Sequence, residues 1–202
     1  MPNPDQGGSW GIFGGAFDPI HYGHLGLAHD LLKALKYSGI LFVPSFNPPR
    51  KRDGCVASFE DRAEMLRLAI DGEPQFAFDL LERESSEPGY TLLTVRALKK
   101  RFPKAIFDFI IGADLLTELE SWYEADEILK EVRIVAGSRP GALVKIPAKF
   151  PAGRIRVVET GLVDIASRDI RRRLADGMSL KDLERLVPPR VAAYIIDRGL
   201  YR

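Results

Sequence analysis

The three histidines of this chain, His21, His24 and His29, fall within nine positions, and the first two close the run Gly14-Gly15-Ala16-Phe17-Asp18-Pro19-Ile20-His21-Tyr22-Gly23-His24. Glycine accepts backbone conformations that bring amide N–H groups close to a ligand. A helix start adds unpaired N–H groups and a partial positive charge. A glycine turn feeding a helix is therefore fitted to phosphate, and His21 and His24 add donors able to carry charge near neutral pH. Two other readings compete: a tight turn whose polar residues merely cap the helix, and a metal site built from Asp18, His21 and His24. A histidine pair beside a glycine turn suits phosphate better than either. His29, on the following helix, is expected to pack rather than to bind.

A second anion site is expected at Ile165-Ala166-Ser167-Arg168-Asp169-Ile170-Arg171. Ser167 suits a helix N-cap, Asp169 suits the first turn and Gly177 suits the stop. Ser167 and Arg171 are four residues apart and share a helix face, and helical side chains lean toward the N-terminus, so Arg171 can reach an anion at that start. Arg172 and Arg173 read as a solvated basic face. Other phosphate and metal signatures are missing: there is no GxxxxGK[ST], GxGxxG, HExxH or paired-cysteine pattern.

These residues need a scaffold. Short apolar runs that read as strands, at 10–13, 40–43, 76–78, 105–111, 133–136 and 154–158, alternate with helical periodicities at 24–36, 59–70, 91–101 and 125–132. That order predicts an α/β fold, a Rossmann-like parallel sheet covered by helices. Ligands of such sheets bind beyond the carboxyl ends of the strands, where the glycine–histidine turn falls. From about residue 160 onward the pattern turns helical, with segments at 167–175, 179–186 and 188–198, so a helical C-terminal cap is expected. No repeat or linker interrupts the pattern, and residues 1–202 read as a single domain.

Composition narrows the partners. The 29 Lys and Arg nearly cancel 28 Asp and Glu, for a formal charge of +1, so net charge points to neither nucleic acid nor membrane. A lone Cys55 excludes an internal disulfide and fits a reducing compartment. The polar N-terminus lacks an apolar leader, and no apolar run approaches a membrane span. A cytoplasmic protein is expected; the sequence leaves homo-oligomers open.

GGAFDPIHYGH and the SRDIR segment resemble the paired signatures of nucleotidyltransferases with an HxGH site and a terminal SSTxIR-type motif. Within that superfamily the chain is most similar to the bacterial nicotinate-nucleotide adenylyltransferases, over nearly its whole length. The similarity includes VPSFNPPRK (43–51), PGYT (88–91), FIIGAD (109–114), SWYEADEIL (121–129), GSRPG (137–141) and YIIDRGLYR (194–202). The resemblance implies transfer of AMP from ATP to nicotinate mononucleotide, giving deamido-NAD and pyrophosphate in NAD biosynthesis, with Mg2+ carried mainly by the ATP phosphates. It implies catalytic roles for His21, His24 and Arg171. ATP would be bound by these three with Gly14, Gly15, Phe17, Gly112, Asp114, Ile165 and Ser167. The mononucleotide would meet Thr91 and the rings of Trp122 and Tyr123, a flat aromatic gaining cation–π attraction to the pyridinium, with Arg50, Lys51 and Arg139 for its phosphate. No dedicated protein metal site is implied.

The chain departs from the family pattern at three places: Ala166 replaces the first serine, Arg168 replaces the usual threonine, and Arg50 stands where members often carry histidine. Nicotinamide mononucleotide, phosphopantetheine and FMN are the alternative acceptors. The pantetheine enzymes usually carry Thr in place of the first histidine and are shorter, so His21 and the 202-residue length speak against them. A nucleotide sensor without turnover is the alternative from another class; only the altered 166–168 segment favours it.

Overall fold

The computed structural model describes residues 2–48, 54–84, 89–161 and 165–202. Six parallel strands form one sheet: β1 (Gly8–Gly15), β2 (Gly39–Pro44), β3 (Phe76–Phe78), β4 (Ala105–Gly112), β5 (Arg133–Ser138) and β6 (Ile155–Glu159). Their order across the sheet is β3-β2-β1-β4-β5-β6. The helices are α1 (Tyr22–Leu35), α2 (Phe59–Ile70), α3 (Thr91–Arg101), α4 (Ala125–Glu131), α5 (Ser167–Ala175), α6 (Leu180–Leu183) and α7 (Pro189–Asp197). The 179–186 segment yields only the four residues of α6, cut short before Pro188. A 3-10 segment over Ala113–Ser121 was not expected from the sequence.

The strands are apolar without a break because both sheet faces are covered. Alternate residues enter opposite cores. Phe13, Phe42, Ile110 and Val135 face α1, α2, α5 and α7, meeting Leu31, Met65, Ile170 and Ile195. Trp10, Ile12, Phe109 and Ile134 face α3 and α4, meeting Val95, Leu98 and Ile128. The C-terminal helices therefore complete the first core.

The chain leaves β1 through α1 toward β2, and leaves β4 through α4 toward β5 on the other side. Between β1 and β4 the winding reverses, and neighbouring strand ends diverge there to open a crevice. His29 lies away from it, its ring 4.6 Å from that of Phe76 and its Nε2 3.5 Å from Glu73. Among the described residues no helix is long and apolar enough to cross a membrane.

Candidate active site at the carboxyl ends of β1 and β4

The glycine–histidine turn leaves the carboxyl end of β1. Phe17 adopts a left-handed backbone, φ 47°, a conformation uncommon outside glycine. Its ring is buried against Phe13, Phe42 and His24, at centroid distances of 5.6, 5.8 and 5.2 Å. That packing fixes the turn from beneath and withdraws the Phe17 side chain from the surface.

His21 is the N-cap of α1. The His24 Nδ1 accepts from the His21 backbone N–H at 3.3 Å, which leaves a neutral His24 ring its proton on Nε2. The two rings stack, with centroids 3.7 Å apart and planes at 25°. Burial pushes the His21 imidazole down to about 4. Burial, reinforced by the neighbouring His21, also holds His24 well below its ordinary range. Without an anion beside them burial favours the neutral rings, because desolvation penalises the charged form.

The second motif packs directly on this turn. Ser167 is the first residue of α5, and Ala166 is the N-cap. The capping role expected of Ser167 is replaced by a bond from its Oγ to the Pro19 carbonyl at 3.0 Å. Ile165, half-buried, leans on the core beneath. The Arg171 Nη1 donates to the Asp18 carbonyl at 2.6 Å and lies 3.8 Å from the Asp18 carboxylate. Arg172 pairs with Asp169 on the surface, as a solvated face would; Arg168 is exposed.

Asp18 is 1% exposed. Its carboxylate accepts from the backbone N–H groups of Val56 (2.9 Å) and Ala57 (3.1 Å) and from the Tyr201 hydroxyl (2.8 Å). Arg62, buried, donates to the Ala16 carbonyl at 2.7 Å. The metal reading of Asp18, His21 and His24 loses its support here, since protein donors already occupy the carboxylate. Among the described residues no group of three His, Cys, Asp or Glu could hold a metal ion.

Beside the turn lies a cavity of about 630 Å³ whose lining includes Gly14, Gly15, Ala16, Thr91, Phe109, Trp122 and Tyr123. Three residues expected at the acceptor end, Thr91, Trp122 and Tyr123, therefore meet there. Trp122 stands edge-on to Phe109 at 6.2 Å, and Tyr123 stacks on Tyr90 at 4.4 Å. Only glycine fits at position 14 without displacing this wall, because a Cβ there would lie 2.9 Å from the Phe109 ring. Gly112 ends β4, and a Cβ on it would meet the Asp114 Oδ1 at 2.4 Å. Asp114 is thus folded back over the strand end while remaining exposed. Arg139, exposed, follows β5. Arg50 and Lys51 lie outside the described residues.

Several cavity and turn residues escaped the sequence. Glu82, buried in the cavity wall, accepts from the Thr94 hydroxyl (2.7 Å) and the Phe46 N–H (3.1 Å). Burial raises its carboxyl above the usual range against those bonds. Nothing in the sequence separates Glu82 from the other acids near it, Asp79, Glu84 and Glu87. Tyr90 and Tyr201 fall inside the family-like segments PGYT (88–91) and YIIDRGLYR (194–202) without a role being assigned to them, and Arg62 carries no signal at all.

Comparisons with known proteins point to one family. A family model described as Cytidylyltransferase-like matches residues 12–173. A probable nicotinate-nucleotide adenylyltransferase of Geobacillus thermodenitrificans is 41% identical over 194 residues, 96% of this chain and 86% of that protein. The nicotinate-nucleotide adenylyltransferase of Bacillus subtilis is 39% identical over 191 residues, 95% of this chain and 97% of that one. Among solved structures, Plasmodium falciparum nicotinic acid mononucleotide adenylyltransferase complexed with NaAD superimposes with a TM-score of 0.78 at 24% identity, over 96% of this chain and 97% of that one. At that identity the likeness speaks for the fold.

Proposed function

The chain belongs to the nicotinate-nucleotide adenylyltransferases of the cytidylyltransferase-like family, and on that premise we propose that it transfers the adenylyl group of ATP to nicotinate mononucleotide, forming deamido-NAD and releasing pyrophosphate. One observation carries the reading. The glycine–histidine turn and the aromatic cavity share a wall, since Gly14, Gly15 and Ala16 line the same cavity as Thr91, Trp122 and Tyr123. A polyphosphate held on the turn is then adjacent to an acceptor held in the cavity.

In this reading an oxygen of the mononucleotide phosphate attacks the α-phosphorus of ATP, and the bond to the β-phosphate oxygen breaks. The attacking oxygen is already ionised, so the protein's task is positioning and charge stabilisation rather than base catalysis. The turn's backbone amides and the His24 Nε2–H donate to phosphate oxygens. An approaching polyanion favours the charged imidazole, so His21 and His24 gain protons as ATP binds. Arg171 exchanges its Asp18 carbonyl for the leaving pyrophosphate, as a charge-assisted donor. The cavity gives the pyridinium an aromatic face in Trp122 or Tyr123. Thr91 donates to the nicotinate carboxylate, and Arg50, Lys51 and Arg139 serve the mononucleotide phosphate. Gly112 and Asp114 face the ATP ribose. Mg2+ would arrive with ATP and supply charge neutralisation at its phosphates, with no carboxylate cage needed from the protein.

The chain acts as one nucleotidyltransferase domain in the cytoplasm, with the bonds from α5 and Tyr201 to Asp18 supporting unity of its two ends. The test is pyrophosphate release from MgATP with nicotinate mononucleotide, nicotinamide mononucleotide, phosphopantetheine and FMN offered separately. Turnover with the nicotinate substrate alone is expected. Preference for another acceptor overturns the reading of Thr91, Trp122 and Tyr123. ATP binding without turnover on any acceptor overturns the enzyme reading.

A further inference from the structure

Tyr201 lies far along the chain from the glycine–histidine turn, yet its hydroxyl ends on the turn's own carboxylate, 2.8 Å from the Asp18 Oδ1. Both groups are withdrawn from water, with Tyr201 8% and Asp18 1% exposed. The same carboxylate holds Val56 and Ala57, at the end of the segment that follows the Arg50–Lys51 stretch. The same residue, through its carbonyl, takes Arg171. Tyr201 has a left-handed backbone, φ 65°, and so does Phe17 one residue before Asp18. Non-glycine residues persist in that region only where their surroundings over-determine them. At both positions the surroundings include the Asp18 joint.

We infer that Tyr201 is a positioning residue for the transfer reaction: its hydroxyl, by fixing the Asp18 carboxylate, sets the pose of the turn that carries His21 and His24. Without that donor, Asp18 keeps its two backbone partners but loses the bond that pins Oδ1 from the far side. The turn then relaxes relative to the cavity. A misplacement of about 1 Å in a preorganised site costs as much as ~10²-fold in rate. The inference rests on the adenylyltransferase reading for its consequence, but not for its geometry.

A matched control exists within the fold. The Tyr37 hydroxyl donates to the Asp108 carboxylate at 2.6 Å, also buried, in the amino-terminal half of the sheet. Tyr37→Phe removes a tyrosine–aspartate bond of the same kind without touching the turn. Three histidines make side-chain NMR of the full chain simple to interpret. Tyr201→Phe is expected to move the His21 and His24 imidazole signals and to lower kcat by roughly tenfold or more, with both KM values within about twofold. Tyr37→Phe is expected to lower the Tm by a similar amount while leaving kcat and those two histidine signals unchanged. The inference fails if the His21 and His24 signals of Tyr201→Phe coincide with those of the wild type. It also fails if they move while kcat holds, or if Tyr37→Phe loses as much activity. If the wild-type protein does not adenylylate nicotinate mononucleotide, the reading of the function fails separately, and the histidine signals still decide whether Tyr201 sets the turn.

Discussion

Lowering the pH should destabilise this protein through His21. The imidazole is 4% exposed and its pKa falls from an ordinary 6.5 to about 4. A histidine whose pKa is lowered on folding binds its proton more readily when unfolded. Its stabilising contribution is therefore complete above pH 6.5 and is lost as the pH falls toward 4. At about 1.4 kcal/mol per pKa unit, the stability lost from His21 alone between pH 7 and pH 5 is about 2 kcal/mol. His24 acts in the same direction. Glu82 acts in the opposite one, because its raised pKa favours proton uptake by the native state. A difference between variants isolates the histidine. His21→Asn keeps a residue that caps helices well and removes the titrating ring. Urea unfolding followed by circular dichroism at pH 7, 6 and 5 gives the free energies. The wild type should lose about 2 kcal/mol more than His21→Asn over that interval. Parallel curves, within about 0.5 kcal/mol, would refute the assignment of a buried neutral imidazole at position 21.

Three further outcomes are expected. His24→Ala removes the ring that accepts from the His21 N–H and that donates to phosphate in the proposed reaction; kcat in a pyrophosphate-release assay should fall by about 10²–10³. Trp122→Ala strips an aromatic wall from the acceptor cavity. It should raise KM for nicotinate mononucleotide by roughly tenfold, the equivalent of about 1–2 kcal/mol of cation–π attraction, while KM for ATP stays within about twofold. Arg168 is exposed, and Arg168→Thr should leave kcat/KM within about tenfold; a larger loss would mean that it reaches the substrate.

The scaffold was largely legible because local patterns dictate it. Helices α2, α3 and α5 span the ranges their periodicity predicts, and each strand contains most of its apolar run. The 3-10 segment hides a signal of its own: Ala113, Leu116, Leu119 and Trp122 recur every third residue, the period at which 3-10 side chains eclipse. The glycine–histidine turn between β1 and α1 was legible for the same reason, being contiguous. What the sequence could not show is how distant groups finish that turn. Ser167 looks like a cap by every local rule, yet a tertiary partner, the Pro19 carbonyl, claims its hydroxyl. His21 and His24 read as able to carry charge from their ordinary pKa, whereas burial, a property of the assembled core, shifts both toward the neutral form. Glu82 and Tyr201 matter only through whom they meet, and no spacing encodes that.

The joint at Asp18 has a kinetic side. Its partners Arg171 and Tyr201 are 153 and 183 residues away along the chain, and Ser167 closes on Pro19 across 148. Bringing such ends together costs loop-closure entropy, and distant pairings form slowly. The strand pairings of the sheet do not include these contacts, whereas the first core does include the helices that carry or precede them, through Ile170 and Ile195. Fraying of the last helices would open the joint while the sheet stands, making turnover the most sensitive gauge of whether the chain has reached its final state.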